Sequence, residues 1–199
     1  MNISRISLAI GGLLLAVSAW SGDAQKGLDA CNSGDYETAL TILQPLADAG
    51  DAGGQFGLGQ MYGNGFGVMM DDALAIKWYT LAADQGHAQA QNNLAIMHQN
   101  GWGVPQSDEE AIRLFAGAAE QGVSEAMMAL GRFYAMDFSD DYDPLLAYKW
   151  FSLASKLDNV DANAKREMIA EKLTVEQVAD GNAQIELWWT GHTEMMAKQ

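Results

Sequence analysis

The sequence predicts an all-α protein, a right-handed α-solenoid of antiparallel helix pairs about 36 residues long. One register carries most of this. The segments Leu46-Ala47-Asp48-Ala49-Gly50, Ala82-Ala83-Asp84-Gln85-Gly86 and Ala118-Ala119-Glu120-Gln121-Gly122 follow one another at intervals of 36 residues. The same interval links Leu58, Leu94 and Leu130, then Ala75, Ala111 and Ala147, then Trp78, Leu114 and Trp150. A fixed period of this size marks stacked repeats. The glycine closing each segment is a helix stop, because glycine adopts the left-handed conformation at little cost. Only three prolines occur in 199 residues, which suits helices.

In chain order, residues 1–21 predict a secretory signal. Arg5 is its positive start, Leu8 to Val17 its apolar stretch, and Val17-Ser18-Ala19 or Ala19-Trp20-Ser21 its cleavage site. The stretch is short for a membrane span. A cleaved leader and an uncleaved anchor both stand as readings, and cleavage would leave a more acidic chain without a membrane span. Residues 22–50 predict an incomplete leading pair, with a helix A from Ala24 to Ser33 and a helix B opening at Asp35-Tyr36. Repeat 1 covers 51–86: helix A from Ala52 to Tyr62, a turn Gly63-Asn64-Gly65-Phe66-Gly67-Val68, and helix B from Asp72 to Gln85. Repeat 2 covers 87–122: helix A from Ala88 to Gln99, a turn from Asn100 to Pro105, and helix B from Asp108 to Gln121. Ser107 with Glu110 forms a capping box there.

Repeat 3 covers 123–158 and begins near Ser124. Its turn, Asp137-Phe138-Ser139-Asp140-Asp141-Tyr142, keeps the length and loses the glycines. Asp143-Pro144 then starts helix B as N-cap plus proline at the first helical position. Residues 159–189 predict capping helices, Asp161 to Lys172 and a last helix to about Trp189 that Thr174 and Gln177 open as a capping box. Burial of Trp188-Trp189 is expected there, since a capping helix covers the final repeat. Residues 190–199 predict a flexible tail.

The composition is that of a folded protein, 49% apolar and 19% charged, with a formal net charge of −15. Such a charge argues against nucleic acid and anionic membranes, because phosphate binding needs Lys and Arg. It is compatible with a basic protein or peptide partner, and equally with plain solubility. Cys31 is the only cysteine, so no internal disulfide forms. With the leader, that points to a bacterial periplasm, and Cys31 beside Leu28 predicts a buried structural thiol.

These residues resemble the Sel-one-like repeat family, a relative of the tetratricopeptide repeat with a longer inter-helix turn. Leu58-Gly59, Tyr62, Gly65, Gly67-Val68, Asp71, Ala75, Trp78-Tyr79, Ala82-Ala83 and Gly86 match its pattern in order. The second copy matches at Ala88, Ala90, Leu94, Gly101, Gly103-Val104, Ala111, Ala118-Ala119 and Gly122, and places His98 where the family has Tyr. The third matches at Ala126, Leu130-Gly131, Tyr134, Ala147 and Trp150-Phe151, and departs in its turn. The resemblance covers about residues 24 to 190. It implies a protein-binding scaffold, often in bacterial envelopes or secretion-linked pathways.

No catalytic residue, metal ligand set or cofactor site is predicted. His98 is expected to pack in the Tyr position, His87 to lie on the surface and His192 in the tail. No H-x-x-x-H pair occurs, and the lone cysteine adds no zinc pattern. Gly122-Val123-Ser124-Glu125-Ala126 approaches G-x-S-x-G, but its last residue is Ala and it follows a helix. Ser124 is therefore read as an N-cap. No S-x-x-K occurs, against a β-lactamase-like hydrolase. The acidic residues Asp137, Asp140, Asp141 and Asp143 read as a solvated turn, with a calcium site or a basic-partner contact as alternatives.

Binding is assigned to the concave face, which the A helices line. The A-helix positions outside the repeat consensus are Phe56, Gln60, Asn92, Asn93, Ile96, Met128, Arg132 and Phe133. Their mix of apolar, amide and methionine groups suits a peptide or protein surface. The expected function is an envelope adaptor or regulator. A cell-wall hydrolase or its accessory, and a calcium-responsive module, are the competing readings.

Overall fold

The computed structural model describes residues 22–136 and 141–196. Residues 1–21, where a leader is expected, Asp137 to Asp140 of the acidic turn, and 197–199 lie outside the described residues. Among the described residues there are ten helices and no strand: α1 (22–32), α2 (Tyr36–Asp48), α3 (Ala52–Asn64), α4 (Asp72–Asp84), α5 (Ala88–Asn100), α6 (Asp108–Glu120), α7 (Ser124–Ala135), α8 (Pro144–Lys156), α9 (Val160–Ala170) and α10 (Val175–Met196). The A helices α3, α5, α7 and α9 and the B helices α2, α4, α6 and α8 each start at steps of 36 residues. The expected fold class, an all-α solenoid of helix pairs, is the one observed.

Aspartates start these helices. Asp35, Asp51, Asp71 and Asp143 each accept backbone N–H bonds from the first turn that follows, Asp143 from both Leu145 and Leu146 at 2.9 and 3.0 Å. Pro144 sits at the opening of α8 as expected. Thr174 and Gln177 bond reciprocally, at 2.9 and 3.2 Å, and open α10. Val123, not Ser124, is the N-cap of α7, and it makes no side-chain bond; Ser124 is already the first helical residue.

The B helices end alike. Gly50, Gly86 and Gly122 have φ between +83° and +90°. The N–H of the next residue reaches back five positions: Asp51 to Leu46, His87 to Ala82, Val123 to Ala118. This closure satisfies carbonyls that the helix end leaves open. The fourth copy keeps the bond, Asn159 to Ala154 at 3.2 Å, on a non-glycine residue, Asp158 with φ +59°.

The turns within repeats are also built alike. Asp71 N–H bonds Tyr62 O, Ser107 N–H bonds His98 O, and Asp143 N–H bonds Tyr134 O. The third turn thus closes without glycines. The glycines of the first two serve a close approach. A Cβ on Gly67 would collide with Tyr36, and one on Gly103 would lie 2.7 Å from Ile76 and 2.8 Å from Asp72. Tyr36 and Asp72 are equivalent residues, each first in a B helix.

The chain comprises two compact units, residues 1–107 and 108–199. In the first, α2 packs on α3, α3 on α4, and α4 on α5. Its core gathers Cys31, Leu43, Leu58, Met61 and Trp78, so the cysteine is buried as expected. In the second, α6 packs on α7, α7 on α8, and α8 on both α9 and α10. Phe115, Met127, Leu130, Phe151, Leu153 and Ile185 fill that core.

The last helix corrects an expectation. It does not stop near Trp189 but runs to Met196, so 190–196 are helical. His192 stacks on Trp188 at 4.5 Å, one turn away, and its Nε2 lies 3.1 Å from where a Cβ on Gly122 would be. That contact holds the end of the helix. Trp188 and Trp189 are half-buried.

Candidate functional site

Helix A and helix B of one repeat and helix A of the next enclose a groove. Among the described residues, one such groove lies in each unit. The first, about 210 Å³, lies among α3, α4 and α5 and is lined by Asn64, Tyr79, Asn93, Ile96, Met97 and Trp102 with Gly63 and Asp72. The second, about 340 Å³, lies among α7, α8 and α9 and is lined by Arg132, Ala135, Met136, Phe151, Lys165, Met168, Ile169 and Lys172. The two are equivalent in the repeat register, two repeats apart: Gly63 with Ala135, Asn64 with Met136, Tyr79 with Phe151, Asn93 with Lys165, Ile96 with Met168, Met97 with Ile169.

Small residues on helix A set the depth of the aromatic floor. A Cβ on Gly59 would meet the Tyr79 ring at 2.5 Å, and one on Gly131 would meet Phe151 at 2.5 Å. In the first groove Asn93 Nδ2 donates to Tyr79 Oη at 3.1 Å. Burial pushes the Tyr79 phenol up to about 12, the Asn93 bond partly opposing it, so it stays protonated. In the second groove the floor, Phe151 and Ile169, is buried and wholly apolar, while Met168 is 67% exposed. Arg132 Nε donates to Met128 O at 3.2 Å, and Lys172 Nζ stands 5.7 Å over the Tyr142 ring. Among the described residues, none that lines this groove is acidic.

The sequence-assigned residues divide. Asn93 and Ile96 line the first groove and Arg132 the second. Gln60 is half-buried on α3, outside the groove lining. Phe56, Asn92, Met128 and Phe133 are corrected: all are buried and belong to the core. Phe56 stacks on His87 at 4.6 Å and tilts against Tyr79 at 6.1 Å. Phe133 tilts against Phe115 at 6.3 Å. Asn92 Oδ1 is enclosed without a partner. The reason is that an A helix is covered on more than one side. On α3 every residue from Gly54 to Gly59 is buried, so a position that departs from the repeat consensus need not face outward.

His87 is likewise not a free surface residue. It is half-buried, and its Nδ1 accepts Ala90 N–H at 3.3 Å as the N-cap of α5, the place Asp51 takes on α3. Burial lowers its pKa, with its own backbone and Asp51 pulling the other way. His98 is half-buried in the Tyr position, with Nδ1 enclosed and unpartnered. Asp143 spends its carboxylate on the cap of α8, while Asp137 and Asp140 lie outside the described residues. Among the described residues no three His, Cys, Asp or Glu side chains gather as a metal site.

Sequence reasoning missed Tyr79, Phe151, Lys165, Met168 and Lys172. The aromatic pair reads as core, and the two lysines lie in what reads as a closing helix. The signal that finds Tyr79, Phe151, Lys165 and Met168 is the register itself, since each sits two repeats from a lining residue of the other groove; Lys172, equivalent to Asn100, has no such counterpart.

Comparison with known proteins is consistent with this geometry. The family model of the Sel1 repeat matches residues 52–87, 88–123 and 124–159. Among solved structures, a Sel1 repeat protein from Oxalobacter formigenes superposes with a TM-score of 0.67 at 28% identity, covering 73% of this chain and 60% of that one. A protective antigen present in uropathogenic Escherichia coli strains, displaying an SLR fold, superposes with a TM-score of 0.73 at 26% identity, covering 92% of this chain and 42% of that one. This chain therefore spans about half the length of these two. No curated protein matches.

Proposed function

Because this chain belongs to the Sel1 repeat family, whose members generally mediate protein–protein interaction, we propose that it is a non-catalytic docking scaffold. It receives a peptide or protein segment in the grooves between successive A helices and acts as an adaptor or regulator in the bacterial envelope. The observation that supports this is the recurrence of one groove at one register position in both units, each with an aromatic floor and a changing rim. A repeated apolar floor with variable polar edges suits successive side chains of an extended partner. Arg5, the apolar run from Leu8 to Val17 and the small residues after it support export to the periplasm.

The test is crosslinking capture from envelope fractions, with the captured protein identified and its affinity remeasured in pure form. The bait is compared with Ile96→Asp and Arg132→Ala, one change in each groove. A partner that binds the native chain and loses about tenfold or more in affinity to either variant is the expected result. A partner that binds both variants unchanged removes the grooves from the interaction.

A further inference from the structure

The two grooves share a scaffold but not a charge. Positions equivalent to Arg132, Lys165 and Lys172 in the first repeat pair are Gln60, Asn93 and Asn100. All three equivalents are amides, of which Asn93 lines the first groove while Gln60 and Asn100 lie outside its lining; the second groove carries three cations among its lining residues. The floor changes in the same direction, from Tyr79 with its hydrogen-bonded hydroxyl to Phe151. This chain has 11 Lys and Arg against 26 Asp and Glu. Solubility in so acidic a protein does not require cations, least of all three beside one apolar cavity.

Resting on the docking role above, we propose that the α7–α8–α9 groove is specific for an acidic peptide segment, one large apolar side chain flanked by carboxylates. The apolar side chain enters the cavity of about 340 Å³ over Phe151 and Ile169. Met168 is unbranched, polarizable and mostly exposed, so it folds over the inserted group. The flanking carboxylates meet Arg132 and Lys165, with Lys172 at the edge. Arg132 can engage a carboxylate through two parallel N–H bonds. The negative field of the remaining surface repels an acidic peptide elsewhere on the chain, so the cations decide register as well as attraction. This occupant is opposite in charge to the basic partner that the net charge alone suggests.

The experiment measures anisotropy of labelled peptides against the full chain and against Arg132→Gln/Lys165→Asn. That double variant installs the amides found at the equivalent positions of the first repeat pair, Gln60 and Asn93, so it tests charge in a repeat register that already accommodates them. The probes are a phenylalanine flanked by Asp and Glu, the same peptide with Asn and Gln, and the same with Lys. The expected result is binding of the acidic probe alone, weakened about tenfold or more in the double variant. Binding should also weaken as salt rises from about 50 mM to about 500 mM. Equal binding of the acidic and amide probes, or no loss in the double variant, overturns the proposal. So does binding to phosphatidylglycerol vesicles with all peptides inert, or a self-association that the double variant abolishes; these assign the groove to lipid or to a second copy. A random peptide library separates the two levels. Selection of apolar peptides without acidic residues overturns the charge preference and leaves the docking role standing, whereas selection of none overturns both.

Discussion

At residue scale, His87 shows how one register position can carry different chemistry. Asp51 caps α3 with a carboxylate, and His87 does the same for α5 with a ring nitrogen. A ring nitrogen accepts a hydrogen bond only while neutral. Burial against Phe56 already lowers the His87 pKa from its ordinary 6.5. Between the folded and unfolded pKa values, the unfolded chain binds more protons. The stabilisation is therefore present above the unfolded value of 6.5 and is lost as pH falls below it. His87→Asn keeps a capping acceptor and does not titrate. From about pH 7.5 to about pH 5, the melting temperature of the native chain should fall relative to that variant. A constant difference across this range would show that the ring is not coupled to folding. The ring's identity was legible in the sequence and its burial was not, because Phe56 comes from the preceding A helix.

At the scale of elements, helix ends and close approaches recur with the period. The B-helix stop is glycine three times and Asp158 once, at the same left-handed geometry. A non-glycine residue there costs of order 1 kcal/mol, and Asp is among the residues that tolerate it best. Asp158→Gly should therefore raise stability by about 0.5 kcal/mol or more, less what the freer unfolded chain takes back. An increase in the urea midpoint at unchanged slope is the expected result; a decrease would mean that the Asp158 side chain contributes more than its backbone strain costs. Helix starts, turns and stops were legible because each depends on residues within a few positions. The length of α10 was not. Its last turns are held by His192 against the Gly122 turn, a contact spanning 70 positions.

At the scale of the molecule, the last repeat, within the second unit, is completed by α10. Gly181 of that helix lies against Leu145 and Tyr148, Ile185 is buried, and Tyr148 Oη donates to Asn182 Oδ1 at 3.0 Å. Lys156 pairs with Glu186 at 2.8 Å and stands 5.3 Å over Trp189. Removing residues 174–199 uncovers that face of α8 and should cost the second unit about 2 kcal/mol or more. Hydrogen exchange should then show faster exchange in α8, with α2, α3 and α4 unchanged. Equal loss in both units would show that they unfold as one.

Register, helix pairing, the stop glycines and the caps at Asp143 and Thr174 could be read from the chain, because a stacked repeat meets the same neighbours at the same offsets; the caps at Val123 and His87 could not. The open side of each A helix could not. Phe56, Asn92, Met128 and Phe133 are enclosed, while Lys165 and Lys172, on a helix that reads as a mere closure, line a groove. Burial at one residue is decided by side chains that arrive from helices a repeat away, and only the folded packing brings those together.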